Sequence, residues 1–163
     1  MNRRLFLSSA LAISGAVVLR DPAFAAAMAP KTESIEKITK TPEEWRKILT
    51  PAQFSVLREE GTEYPGTSPL NNEKHKGTFV CAACDLTLFE SKTKFDSGTG
   101  WPSFYDFIPG RLDTKSDNKL ILTRTEYHCA RCGGHQGHVF DDGPKPTGLR
   151  YCNNGVALKF VPA

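Results

Sequence analysis

The chain has 163 residues, with 21 Lys and Arg against 18 Asp and Glu for a formal charge of +3, and five cysteines. Most of the positive surplus lies in residues 1–25, where Arg3, Arg4 and Arg20 face only Asp21, so the remaining 138 residues carry 18 positive and 17 negative side chains. A nearly neutral domain of that size can hold one core of its own, and it offers no basic stripe for nucleic acid or an anionic membrane.

In chain order, the first segment, MNRRLFLSSALAISGAVVLRDPAFAAA, has a basic start, an apolar run from Leu5 to Leu19 and small residues around Ala23 and Ala25. That is the layout of an export signal, and the run is short beside the ~20 apolar residues of a membrane span. Arg3 and Arg4 before Leu5, Phe6 and Leu7 resemble the twin-arginine type, which carries folded proteins out of the cytoplasm. Residues 1–25 are therefore expected to be a signal, which would place the protein in the bacterial periplasm or cell envelope. An ordinary secretory signal and an uncleaved anchor are the alternatives.

Residues 26–40 are polar with little periodicity and are expected to form a flexible leader, with one domain over 41–163. Two helix starts of the same design follow: Thr41, Pro42 and Glu44, then Thr50, Pro51 and Gln53. In each, Thr can cap free N–H groups, Pro fits the first helical position, and Glu or Gln can complete a capping box. Trp45, Ile48, Leu49, Phe54 and Leu57 supply apolar helical faces, so Trp45 is expected in the core.

From Glu60 onward the texture changes to a loop rich in Gly, Pro and Asn and then to short runs of β-like sequence separated by turns. In Leu120 to Thr125 apolar and polar residues alternate. The expected fold is mainly β: two small antiparallel sheets or an open barrel, with one or two N-terminal helices packed outside.

Four cysteines form two CxxC pairs, Cys81 with Cys84 and Cys129 with Cys132. Each pair on a tight turn can present both sulfurs to one ion, and two such turns complete a tetrahedron. The pairs stand 44 residues apart, so a larger sheet structure must bring them together. Four thiolates leave no open position, which makes a structural Zn²⁺, one per chain, the expected occupant. Dithiol or disulfide chemistry is the rival, because an export signal implies an oxidising compartment.

Cys152 is then the one cysteine left over. If residues 150–154 are extended, Arg150, Cys152 and Asn154 share one face. A cation there favours the thiolate, and an amide offers hydrogen bonds to a substrate. His135 and His138 follow the second CxxC pair in a glycine-broken stretch that suggests a turn, and either can serve as an acid near neutral pH. Gly98, Gly100 and Pro102 suggest a loop that exposes Trp101 as one wall of a pocket for a small apolar group. An inert buried cysteine, surface histidines and a core tryptophan are the bland alternatives.

The segments CAAC (81–84), KFDSGTGWPSF (94–104) and CARCGGHQGHVFDDGPKPTGLRYCNN (129–154) together resemble the methionine-R-sulfoxide reductases, the MsrB family, and the resemblance runs from about Thr41 to Pro162. It implies a fold of two antiparallel sheets with peripheral helices and, in many members, a zinc held by the two CxxC pairs. It implies Cys152 as nucleophile, His135 and His138 as acid and base, and Asn154 as a holder of substrate and water. Trp101, with Phe104, would receive the substrate methyl group, and Arg150 and Asp142 would support the thiolate and histidines.

The implied activity is reduction of methionine-R-sulfoxide, mainly in peptides and proteins, through a Cys152 sulfenic acid, as repair after oxidative damage. Many members carry a second, resolving cysteine where this chain has Thr99. The expectation is therefore a one-cysteine cycle in a monomer, closed by an external reductant: a thioredoxin-like or glutaredoxin-like protein or a small thiol. The alternative is a zinc module that binds a peptide or ligand without catalysis.

Overall fold

In the computed structural model, residues 34–119 and 122–163 are described. The signal-like residues 1–25, the start of the leader, and Leu120 and Ile121 lie outside them.

Both Thr-Pro starts form the expected helices, α1 (Pro42–Ile48) and α2 (Pro51–Glu59). Each has a complete capping box. Thr41 Oγ1 accepts from Glu44 N at 3.3 Å while Glu44 Oε2 accepts from Thr41 N at 2.7 Å, and Thr50 with Gln53 repeats the exchange at 3.2 and 3.1 Å. Such caps satisfy backbone donors that a short helix cannot pair internally. Trp45, Leu49, Phe54, Val56 and Leu57 are buried, whereas Ile48, expected on the apolar face, is 57% exposed. The leader is less free than expected from residue 34 on: Ile35 and Ile38 pack against the core, and Ile38 N donates to Arg131 O at 2.8 Å.

Among the described residues nine strands follow: β1 (Gly77–Cys81), β2 (Thr87–Glu90), β3 (Lys94–Phe95), β4 (Ser103–Phe104), β5 (Leu112–Asp117), β6 (Arg124–Cys129), β7 (His135–Phe140), β8 (Arg150–Asn153) and β9 (Leu158–Pro162). They make two antiparallel sheets, ordered β2-β1-β9 and β3-β4-β8-β7-β6-β5. The expected fold class holds, with two differences. Of the alternation at 120–125, Leu120 and Ile121 lie outside the described residues; among the rest, Leu122 is 77% exposed and β6 begins only at Arg124. Strand β5 was hidden because its sequence, LDTKSD, buries only its two end residues.

The sheets meet through aromatic side chains. Phe79 and Phe89 of the smaller sheet pack on Phe104, Tyr127 and Tyr151 of the larger; Phe89 stacks on Phe104 with centroids 4.1 Å apart, and Tyr127 meets Tyr151 edge-on at 5.4 Å. Each buried ring contributes about 1.5–3 kcal/mol. Because side chains alternate along a strand, the residues between these core positions, Glu126 on β6 and Cys152 on β8, lie on the opposite face of the larger sheet. The site is built on that face.

Candidate active site and metal centre

The metal centre begins at two strand ends. Cys81 is the last residue of β1 and Cys129 the last of β6, one from each sheet. Each CxxC then turns in the same way: Asp85 N donates to Cys81 O at 2.9 Å and Gly133 N to Cys129 O at 2.8 Å, and Asp85 and Gly133 adopt positive φ of 57° and 66°. The four sulfurs lie within 4.8 Å of one another, with Cys81 to Cys132 at 3.7 Å and Cys84 to Cys129 at 3.5 Å. A tetrahedral ion with metal–sulfur bonds of about 2.3 Å would hold its sulfurs about 3.8 Å apart, so the donor set fits such an ion. Arg58 Nη2 donates to Cys132 Sγ at 3.4 Å and Gln136 Nε2 to Cys81 Sγ at 3.5 Å, the kind of outer support that sulfur ligands take.

Cys152 stands apart from this cluster. On β8 it lies between Ser103 of β4 and His138 of β7, its register partners on either side. It is half-buried at a cavity of about 230 Å³ that Trp101, Arg124, His138 and Asn154 also line. Gly137 permits the close approach of β7 to β8, since a Cβ there would fall 1.9 Å from the Cys152 carbonyl oxygen.

His135 and His138 sit on strand β7, not on the turn suggested by the glycines. Residues three apart on a regular strand face opposite sides. Here the register shifts beside Tyr127 and His128, leaving Gln136 as an extra residue, and this bulge puts both rings on the same side, 5.5 Å apart.

Two carboxylates order the rings, and neither was singled out in the sequence. His135 Nδ1 meets Glu126 Oε1 at 2.7 Å, and His138 Nε2 meets Asp117 Oδ2 at 2.7 Å. Arg124 also donates to Asp117 Oδ2, at 2.7 Å. The Lys119 backbone N–H, His138 and Arg124 together hold Asp117 well below the usual carboxylate range. Burial pushes Glu126 up, but hydrogen bonds from His128 and His135 outweigh it and bring the carboxyl down to about 2. Burial pushes His138 below its ordinary 6.5, against the pull of Asp117.

Arg150 does pull the Cys152 thiol toward the thiolate, as its place in the sequence suggested, but a larger effect opposes it. Burial raises the thiol above its ordinary 9.0 and outweighs the downward pull of Arg150 and of the Thr99 hydroxyl. Arg150 is fixed by Asp142 through two parallel bonds of 2.8 Å and lies over the Phe140 ring at 4.4 Å. Asp142 therefore acts on the site through Arg150, while Asp117 and Glu126 hold the histidines.

Phe104, expected beside the substrate, is fully buried and faces the aromatic core, away from Cys152. Asn154 lines the cavity, yet both its side-chain atoms are engaged: Oδ1 accepts from Glu63 N at 3.0 Å and Nδ2 donates to Gln136 O at 3.0 Å. It positions the Glu63 loop, whose carbonyl in turn accepts from Trp101 Nε1 at 3.1 Å. The Glu63 carboxylate caps the backbone N–H groups of Gly155 and Val156, so one residue ties the aromatic wall to the chain just beyond Cys152.

Comparison with known proteins places the chain among relatives of one family. The SelR domain pattern matches residues 49–162. A peptide methionine sulfoxide reductase MsrB of Methanosarcina barkeri is 55% identical over 124 residues, covering 76% of this chain and 87% of that protein. MsrB proteins of Leptospira interrogans and Pseudomonas putida are 52% and 55% identical, over 76% and 78% of this chain and 95% and 97% of their own lengths.

Proposed function

The chain belongs to the SelR-domain family of methionine sulfoxide reductases, and from that premise we propose that it reduces methionine-R-sulfoxide in peptides and proteins with Cys152 as nucleophile. The observation that carries this reading is the placement of Cys152: outside the four-cysteine cluster, at a cavity with Trp101 and His138. The substrate methyl group rests on Trp101. The Cys152 sulfur attacks the sulfoxide sulfur, His138 supplies a proton to the sulfoxide oxygen, and the oxygen ends on Cys152. One thiol and one sulfoxide thus become one sulfenic acid and one thioether. Asp117 engages His138 Nε2 and leaves Nδ1 for the substrate.

Thr99 stands where a resolving cysteine would be, so an external thiol closes the cycle. It condenses with the sulfenic acid to a mixed disulfide and water, and a second thiol releases Cys152. The four clustered cysteines would hold Zn²⁺, which supplies a cross-link between the sheets and, with four thiolates, no open position for chemistry. The signal-like residues 1–25 support export to the periplasm or cell envelope, and so a role in repairing oxidised proteins there.

The test is a peptide carrying both epimers of methionine sulfoxide, offered with a chemical dithiol to the wild type and to Cys152→Ser. Loss of the R epimer alone in the wild type, and of neither in the variant, is expected. Equal loss of both epimers would overturn the assignment. A non-catalytic binding module would consume neither.

A further inference from the structure

We propose that Glu63 is a positioning residue for the reaction: its carboxylate clasps the chain just beyond Cys152, while its backbone carbonyl holds the Trp101 indole, so that it sets the wall on which the substrate methyl group rests. The proposal rests on Trp101 and Cys152 being the binding wall and the nucleophile of the function proposed above.

Trp101 stands two residues ahead of β4, and its loop is tied down by the segment that follows α2. The indole Nε1 donates to Glu63 O at 3.1 Å, and the Gly100 carbonyl accepts from Gly66 N at 2.7 Å and from Asn71 Nδ2 at 2.9 Å. The indole therefore sits where this segment places it. Residues 60–68 belong to no helix or strand, so no sheet ladder fixes their position.

Their anchor is residue 63. One Glu63 carboxylate oxygen accepts from Gly155 N and the other from Val156 N, the latter at 3.1 Å, while Glu63 N donates to Asn154 Oδ1 at 3.0 Å. Gly155 and Val156 open the short 3-10 turn Gly155–Ala157, and Asn154 at its N-cap makes no side-chain cap of its own. Glu63 is the acceptor that those two N–H groups have. Bonds from N–H groups to a carboxylate are stronger than neutral ones, and N–H groups stripped of their acceptor are costly. The clasp also needs a bare backbone, since a Cβ on Gly155 would fall 1.8 Å from Ser68 Oγ and 3.1 Å from Glu63 Oε1.

Glu63 thus joins two sides of the cavity, the Trp101 wall and the chain three residues past the nucleophile, and the residue before it, Thr62, lines the cavity itself. None of its contacts reaches Cys152, His135 or His138, whose partners lie on β4, β6, β7 and the end of β5. Loss of the carboxylate should loosen the wall and leave the thiol and its acid in place. Binding should suffer and chemistry should not.

The experiment measures kcat and KM for a peptide containing methionine-R-sulfoxide, with a chemical dithiol in excess, on the zinc-loaded full chain. It compares the wild type, Glu63→Ala, Glu63→Gln, Trp101→Phe and the double variant Glu63→Ala with Trp101→Phe. Glu63→Ala is expected to raise KM about tenfold with kcat within about twofold, the signature of lost binding. Its Cys152 should be alkylated by iodoacetamide at the wild-type rate. Glu63→Gln keeps one acceptor oxygen for the two N–H groups and is expected to fall between. Phe has no N–H for the Glu63 carbonyl, so in the Trp101→Phe background Glu63→Ala is expected to change KM by less than about twofold. An unmoved KM in Glu63→Ala, or the same tenfold rise in the Trp101→Phe background, would overturn the proposal. If Glu63→Ala does not fold, Glu63→Gln decides, and an unmoved KM there overturns it. A wild type unable to reduce the R epimer would remove the proposed function itself, whereas an active wild type with these unmoved values removes only the role of Glu63.

Discussion

His135 Nδ1 and Glu126 Oε1 lie 2.7 Å apart, with only 3% and 2% of their side chains exposed. The other Glu126 oxygen meets His128 Nδ1 at 3.0 Å, so one buried carboxylate holds two imidazoles. With Nδ1 given to Glu126, His135 Nε2 is the ring nitrogen left for chemistry, and it is buried without a hydrogen-bond partner. Glu126→Gln keeps the shape but removes the charge, and is expected to lower kcat by about 10- to 100-fold with little change in KM. Glu126→Ala orphans both rings and is expected to cost about 3 kcal/mol in denaturant unfolding. An unchanged kcat in Glu126→Gln would show that Glu126 serves the fold alone.

The pH dependence follows from two opposed displacements. His138 sits below 6.5 and Cys152 above 9.0, so between those limits the dominant state is neutral imidazole plus thiol. That state binds as many protons as imidazolium plus thiolate, the pair the proposed reaction uses. The reactive fraction is therefore constant across the interval, and kcat/KM is expected to form a plateau. The rate falls on the acid side, where a second proton is bound, and on the alkaline side, where both are lost. A narrow optimum inside the interval, measured with reductant in excess, would sink this assignment of acid and nucleophile.

Thr99→Cys places a thiol on the loop whose Ser97 hydroxyl meets Ser103, the register partner of Cys152. After one turnover without reductant, this variant is expected to form a disulfide between residues 99 and 152, while the wild type keeps a sulfenic acid that dimedone can trap. Mass spectrometry separates the two. A disulfide from Cys152 to Cys81, Cys84, Cys129 or Cys132 in the wild type would contradict the one-cysteine cycle.

Loss of the metal should act on stability before chemistry. Cys129→Ser removes one of four sulfurs that meet within 4.8 Å and is expected to release zinc and lower Tm by about 10 °C or more. Cys152→Ser should retain one zinc per chain and melt within a few degrees of the wild type. Loss of zinc without a change in Tm would show that the aromatic core alone holds the sheets together.

What could be read from the sequence was local. The two Thr-Pro capping boxes lie within four residues each, and each CxxC pair within one turn, so their geometry follows from neighbours in the chain. Cys152 stood out because the other sulfurs were accounted for. Asp117 and Glu126 escaped notice because their partners arrive through strand pairing, and Glu63 because its contacts reach Trp101, 38 residues away, and Asn154, 91 residues away. A carboxylate in the middle of an otherwise core-forming strand, as Glu126 is in RTEYHC, was the one available signal. The common side of His135 and His138 depends on one inserted residue, Gln136, and strand periodicity alone predicts the opposite.

A metal held by the two CxxC turns would also shape how the domain refolds. A chain that keeps its metal while the sheets come apart stays closed into a loop of 44 residues between Cys84 and Cys129, with the ends of β1 and β6 still side by side. The search that would otherwise bring together two strands of different sheets is already complete, and loop closure of that length is a large part of the entropic barrier to pairing distant strands. Refolding from a metal-retaining state would therefore be a shorter path than refolding from a stripped one, and an ion held there would govern the speed of return as well as the depth of the native minimum.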